Sequence, residues 1–430
     1  MVMVLFPLIF VLGYTMIALE HPLKISKSAS ALVLGSVLWL LWFIVTKNSP
    51  ATAAQLNETI GSVASIIFFL MGAMAIVTVV DSYDGFSIIT SRVRTNNVRV
   101  LLWLITGITF FMSAVLDNMT TAIVMMMLTR KLITDSRARM YFGGMIIIAS
   151  NAGGAASPIG DVTTTMLWIG GQISALGILE RVNFASVLNV AVPLLFVTKL
   201  LKGTARSEDA QRELEKQPIS RLDRDIVFFC GIGGLVLVPV YRAVFGIPPC
   251  IGMLLSLGLL WFLTDIILKK KERKGETDMD KYSISHLLSK VDFSSVLFFA
   301  GILFAVGVLG ANGQLSALAT WLGEKFGSIK IIVLIIGLFS SVVDNVPLVA
   351  AMMGMYPLAS YPMDSLLWEF AAYCAGTGGS ILIIGSAAGV ATMGIGKISF
   401  GWYLKHIAPL ALLGYFVGAG CYLGMRVIFG

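Results

Sequence analysis

The sequence predicts an all-α polytopic membrane protein built from two inverted repeats. Each repeat holds five transmembrane helices, one re-entrant hairpin and one broken helix. Three observations lead there. Of 430 residues, 57% are hydrophobic and only 13% are charged, whereas soluble domains carry about 25% charged residues. Two blocks recur at one fixed offset inside apolar segments: Ser113-Ala114-Val115-Leu116-Asp117-Asn118 and Ser340-Ser341-Val342-Val343-Asp344-Asn345. The lysines and arginines fall into alternate loops rather than being spread evenly.

A crossing helix needs about 20 apolar residues. Candidate spans lie near 2–19, 30–46, 60–80, 98–116, 141–170, 184–200, 225–241, 249–268, 294–311, 328–343, 366–394 and 406–428. The first has neither a charged leading region nor a small-residue cleavage pattern, so it reads as a span rather than a signal peptide. Two pieces, 120–128 and 346–355, are too short to cross alone, and each directly follows an Asp-Asn pair. A hairpin that descends to mid-membrane, turns at the Asp-Asn pair and returns accounts for both. Non-helical backbone at that depth must be buried in protein or line a cavity. Segments 141–170 and 366–394 contain Asn151-Ala152-Gly153-Gly154 with Pro158-Ile159-Gly160-Asp161, and Gly376-Thr377-Gly378-Gly379-Ser380 with Gly385-Ser386. Glycine runs and proline interrupt helices, so each segment is expected to have an unwound centre, the first over 151–165.

The repeats are expected at 1–201 and 225–430, joined by a cytoplasmic linker at 202–224. Spans in 1–80 and 225–311 form one domain, a scaffold. Those in 98–200 and 328–428 form a second, the transport domain. Five crossings per half turn the second half over. Threading this topology puts all but six of the 31 lysines and arginines on one face; the six are Lys47, Arg181, Arg242, Lys325, Lys330 and Arg426. The positive-inside rule makes the crowded face cytoplasmic and the N-terminus external. The net charge of +7 therefore reports topology, not nucleic-acid binding. The run Lys269-Lys270-Lys271-Glu272-Arg273-Lys274 fits the same signal. Cys230, Cys250, Cys374 and Cys421 form no CxxC pair and read as small buried hydrophobes. No cofactor is expected, and the bilayer is the surrounding medium.

A carboxylate deep in a membrane costs at least about 2.5–3.5 kcal/mol, so two in duplicated settings invite a functional reading. Asp117 and Asn118, with Asp161, Thr163, Thr164, Asn151, Ser113 and the Gly153 backbone, offer hard oxygen ligands for a small cation. Asp344, Asn345, Ser340, Ser380 and Ser386 offer a second cluster. Asp161 corresponds to Ser386, so the first cluster is expected to be the more acidic. No lysine or arginine lies between Arg99 and Arg130 or between Lys330 and Lys397. The acids must then be neutralised by a proton or a mobile cation. One carboxylate can hold either, which is the physical basis of exchange. Two plainer readings compete: Asp and Asn are good helix N-caps, and the glycines can serve close helix packing. An enzyme is not expected. Ile159-Gly160-Asp161 shares part of the Gly-x-Gly-Asp pattern of intramembrane aspartyl proteases, but Pro158 occupies the first glycine position.

The blocks Leu116-Asp117-Asn118-Met119-Thr120-Thr121-Ala122 and Ser150 to Thr165, which includes Asn151-Ala152-Gly153-Gly154 and Pro158-Ile159-Gly160-Asp161, closely resemble the NhaD-type sodium/proton antiporters of the ion transporter superfamily. The resemblance covers nearly the whole chain. It implies exchange of Na⁺ or Li⁺ for H⁺ across a bacterial inner membrane, by a homodimer with a static scaffold and a mobile transport domain. Dicarboxylate carriers of the superfamily have Ser-Asn-Thr at the hairpin tips, whereas this chain has Asp-Asn-Met and Asp-Asn-Val. An aspartate there disfavours an anionic substrate. Sodium-coupled uptake of a small anion is the alternative reading.

Overall fold

A computed structural model describes residues 2–90, 95–201, 220–273 and 280–429. The chain is helical throughout, with no strand among the described residues. In the first half, α1 (Val2–Ala18), α2 (Glu20–Leu23), α3 (Lys27–Val45), α4 (Pro50–Ser82) and α5 (Ser87–Thr90) precede the first Asp-Asn pair. They are followed by α6 (Val98–Ser113), α7 (Asn118–Leu132), α8 (Ser136–Ala155), α9 (Val162–Ile169) and α10 (Ala175–Leu200). The second half runs α11 (Arg221–Phe245), α12 (Pro249–Glu272), α13 (Ile284–Leu288), α14 (Phe293–Ala311) and α15 (Gln314–Phe326). It ends with α16 (Ile329–Phe339), α17 (Asn345–Met355), α18 (Leu366–Gly378), α19 (Ala387–Gly396), α20 (Phe400–His406) and α21 (Ala408–Phe429).

Among the described residues, α3, α4, α10, α11, α12, α14 and α21 are each long and apolar enough to cross a membrane. The expected span at 328–343 is shorter than anticipated: α16 ends at Phe339. At about 1.5 Å per residue its 11 residues fall well short of a ~30 Å hydrocarbon core. Most of the linker, 202–219, lies outside the described residues, as do 91–94 and Lys274. The linker's last residues, Arg221 to Arg224, instead form the first turn of α11, capped by the Ser220 hydroxyl.

Packing joins the halves in a reciprocal pattern. Helix α3 lies along α14, and α4 along α12; α6 packs on α8, and α16 on α18; α10 packs on α21. Small residues permit the first of these contacts. A Cβ on Gly35 would sit 2.5 Å from the Gly301 carbonyl oxygen, so the two backbones meet with nothing between them, as small residues allow in membranes. Trp39 Nε1 donates to the Phe304 carbonyl at 3.1 Å, and Ser28 Oγ donates to the Ser294 carbonyl at 2.7 Å. Beside this pair of layers stand the helices that carry the Asp-Asn blocks and the breaks.

The breaks are shorter than the sequence suggested. Helix α8 runs through Asn151-Ala152-Gly153-Gly154 to Ala155, and only 156–161 is unwound; α18 likewise continues to Gly378, leaving 379–386. The physical reason is packing. A Cβ on Gly153 would collide with the Phe110 carbonyl, and one on Gly378 with the Gly337 carbonyl. These glycines let α6 and α16 press against α8 and α18 rather than ending a helix. The return arms also start earlier than expected, because Asp117 and Asp344 cap them directly, and α7 runs on to Leu132.

Candidate functional site

Each break sits opposite the turn that follows α6 or α16. A serine ties each turn to its neighbour in the same way: Ser113 Oγ donates to the Ser150 carbonyl at 2.5 Å, and Ser340 Oγ to the Ala375 carbonyl at 2.8 Å. Unwound backbone in a membrane needs internal partners, and side chains supply them. Ser157 Oγ donates to the Ala114 carbonyl and accepts from Gly160 N at 3.0 Å. Thr165 Oγ1 reaches the Pro158 carbonyl at 3.1 Å, and Tyr403 Oη the Ser380 carbonyl at 2.6 Å. Ser380 Oγ donates to the Thr377 carbonyl at 2.6 Å. The protons of Ser113, Ser340 and Ser380 are thus committed to backbone.

The acids and amides interlace. Asp117 Oδ1 accepts from Thr120 N at 2.8 Å and Asp344 Oδ1 from Val346 N at 3.1 Å, so both carboxylates do cap helices. Asp161 makes no cap bond. Its Oδ2 accepts from Thr163 Oγ1 at 2.7 Å and from Asn345 Nδ2 at 3.1 Å. Asn151, wholly buried, accepts from Asn118 Nδ2 at 3.1 Å and donates to Ser386 Oγ at 2.9 Å. Thr164 Oγ1 donates to the Asp161 carbonyl at 2.9 Å, and the Gly153 carbonyl accepts from Ala156 N at 3.2 Å. The sequence suggested two separate clusters, one per half. The structure instead gives one crossed arrangement. Asp161 of the first half bonds Asn345 at the second Asp-Asn turn, and Ser386 of the second half bonds Asn151, which holds Asn118 at the first turn. The extra carboxylate therefore lies beside the Asp344 turn, to which the Asn345 bond ties it.

One cavity of ≈ 90 Å³ reaches Asp117, Asp161 and Asp344 together. It has room for several waters. Its walls come from α4, α12 and α14 on one side and the tips and breaks on the other. Lys27 and Asp292 also line it, which corrects the expectation that the acids have no fixed counter-charge nearby. Lys27 starts α3 and is remote in sequence from Asp117, Asp161 and Asp344, so no motif betrays it. Two larger grooves, ≈ 430 and ≈ 330 Å³, are almost wholly apolar and offer an ion nothing. Among the described residues no three His, Cys, Asp or Glu side chains converge on one metal position. A cation here would be held by a mixture of carboxylate, amide, hydroxyl and carbonyl oxygens.

A second polar cluster escaped the sequence reading. Glu369, in α18, is fully buried. Its oxygens meet Arg181 at 2.8 Å, Arg426 at 3.0 Å and Tyr422 Oη at 2.8 Å. The signal was available as a lone acid inside an apolar run, with two stray arginines off the crowded face.

A buried Asp161, half-buried Asp117 and Asp344 and buried amides at the helix breaks, around a cavity in a bundle of apolar helices, define a multi-pass membrane transporter. Residues 14–372 match the family model described as CitMHS, citrate transporter. "Sodium/proton antiporter 1" of Arabidopsis thaliana is 42% identical, with 97% of this chain and 72% of that protein covered. "Sodium/proton antiporter 2" of the same plant is 40% identical, with 97% and 99% covered. "Na(+)/H(+) antiporter NhaD" of Vibrio cholerae is 30% identical, with 95% and 89% covered. The chain belongs to the CitMHS family and, within it, groups with the NhaD-type sodium/proton antiporters. The fold is also that of the Alcanivorax borkumensis YdaH transporter, described as having an unusual topology (TM-score 0.59, 11% identity, 94% and 98% covered).

Proposed function

We propose that this protein exchanges Na⁺, or Li⁺, for H⁺ by alternating access, with Asp117, Asp161 and Asp344 taking cation and proton in turn. The observation that carries the reading is the shared cavity: three carboxylates, two of them followed by an asparagine, face one space at the helix breaks. A deprotonated set attracts the cation, and a protonated set releases it. Asn345 holds Asp161, Asn118 and Asn151 brace each other beside the first pair, and all three can add oxygens. Thr163, Thr164 and Ser386 stand next in line, while Ser113, Ser340, Ser380 and Gly153 serve mainly to hold the backbone. The relatives named as sodium/proton antiporters support the same reading.

The matching serine, glycine and cap contacts in the two halves support repeats of opposite orientation, which is how many transporters place a site at the midplane. The proposed scaffold (1–80 and 225–311) and transport domain (98–200 and 328–428) meet at the cavity. The turns at Asp117 and Asp344 are proposed as tips of re-entrant hairpins. The face bearing Lys27 and Asp292 is cytoplasmic in this proposal, with the N-terminus outside, an inner-membrane setting and a homodimeric assembly. The site is then open inward.

The test is Na⁺-driven proton movement in proteoliposomes of purified protein. Wild type collapses an imposed pH gradient on addition of Na⁺, and Asp117→Asn, although folded, does not. Full activity in that variant would remove Asp117 from the site. The family description as a citrate transporter favours one other reading, Na⁺-coupled uptake of a carboxylate. Na⁺ flux that requires citrate and moves no protons would establish it instead.

A further inference from the structure

We propose that Lys27 is a tethered cation that weakens binding of the transported ion on one face of the membrane only. The inference rests on the cation-pathway reading above and adds a residue to it. Lys27 opens α3, its backbone N–H held by Glu20 Oε1 at 3.1 Å, so its position is fixed by the scaffold. Its ammonium lies over the Phe298 ring, 4.8 Å from the centroid, and its side chain lines the cavity that holds Asp117, Asp161 and Asp344. The ring belongs to α14, the partner of α3 in the scaffold. Asp292 shares the cavity wall as the N-cap of α14, accepting from Ser295 N and Oγ at 3.1 and 2.5 Å; it keeps its negative charge, but among the described residues it forms no ion pair with Lys27 within 4.0 Å. Lys27 thus puts a positive charge on the wall of the cavity that the three carboxylates line.

A lysine ammonium and a sodium ion carry the same charge. A fixed positive charge in a confined, weakly screened space favours the empty, ionised site and opposes entry of a second cation. The ammonium is not paired with the acids: among the described residues no ion pair within 4.0 Å joins Lys27 to Asp117, Asp161 or Asp344. It acts as a standing competitor that raises the concentration at which the site fills. The asymmetry follows from attachment. Lys27 rides on α3, whereas Asp117, Asp161 and Asp344 ride on the tips and breaks. Once the mobile helices turn the acids to the opposite face, they leave the ammonium behind, and the penalty is absent there. Lys27 therefore sets a threshold, so that exchange begins only when the ion is abundant on its own face.

The experiment compares wild type, Lys27→Met, Lys27→Gln and Lys27→Arg in everted and right-side-out vesicles, reading the KM and Vmax for Na⁺ on each face. Neutral variants should lower KM on the Lys27 face about three- to tenfold, leave the other face unchanged, and retain comparable protein abundance; Lys27→Arg should match wild type. A lysine needed only for packing would instead lower Vmax or raise KM on both faces. An unchanged or raised KM for both neutral variants on the Lys27 face overturns the proposal. The antiport reading fails separately, if wild-type Na⁺ flux moves no protons, since the Lys27 effect is read from the Na⁺ KM alone.

Discussion

At the scale of single residues, two of the three proposed site acids also serve the local fold. Asp117 and Asp344 cap α7 and α17, so the proposed role in transport coincides with a role in local folding. Asp161 caps nothing through its side chain and is held by Thr163 and Asn345. The Asn345 bond crosses between halves and is charge-assisted, a class worth about 1.5–3 kcal/mol. Asn345→Ala should therefore raise the apparent KM for Na⁺ by about tenfold while the chain still folds; Na⁺ titration of exchange reads this, and an unaltered KM would disprove the role. The Asp-Asn pairs, Asn151 and Asp161 were legible in the sequence, because acids and amides inside apolar runs stand out, and the pairs also recur at one offset. Their crossed pairing was not legible. It depends on which half supplies the neighbour at each break, and that is settled by helix packing rather than spacing. Lys27 stayed hidden for the same reason.

At the scale of elements, helix breaks in an apolar medium persist only where their backbone is satisfied, and here hydroxyls do most of it. The glycines were read as breakers and prove to be packers: Gly153 and Gly378 lie inside helices, at points where another backbone arrives. A sequence shows that a glycine is present but not whether its missing side chain serves a turn or a contact. Glu369 binds α10, α18 and α21 into one unit through Arg181, Arg426 and Tyr422. Removing one partner of a buried ion pair costs about 3–5 kcal/mol; Arg181 is partly exposed, so the lower end applies. Glu369→Ala should lower the melting temperature in detergent clearly, and Glu369→Gln less so. A melting temperature equal to wild type in both would show that the cluster does not hold the three helices together.

For the molecule as a whole, all-helical class, membrane residence and the order of elements followed from composition, apolar runs and loop charge. What sequence left open is how the parts meet on the face that the proposed topology puts opposite Lys27. There Arg242 of α11 donates to the Trp168 carbonyl at the end of α9, with its guanidinium 5.0 Å from the indole centroid. Trp168 in turn meets Phe69 of α4 edge-on at 6.2 Å. Alternating access requires these contacts between proposed scaffold and transport domain to part. In a background lacking the four native cysteines, Arg242→Cys paired with Gly170→Cys and bridged by a short cleavable bis-maleimide should stop exchange, and cleavage should restore it. Exchange that continues with the bridge in place would mean that these helices do not separate during transport.

Competition between Na⁺ and H⁺ for the same carboxylates is the physical core of the account, and proton release on Na⁺ binding measures it without any membrane. Purified protein in detergent, titrated with Na⁺ in weakly buffered solution, should release at least one proton per ion bound. In the range where the acids are protonated, its Na⁺ affinity should fall about tenfold per unit drop in pH for each proton displaced. Both effects should shrink in Asp161→Asn. Sodium binding that releases no protons and keeps one affinity from acid to alkaline pH would contradict the account.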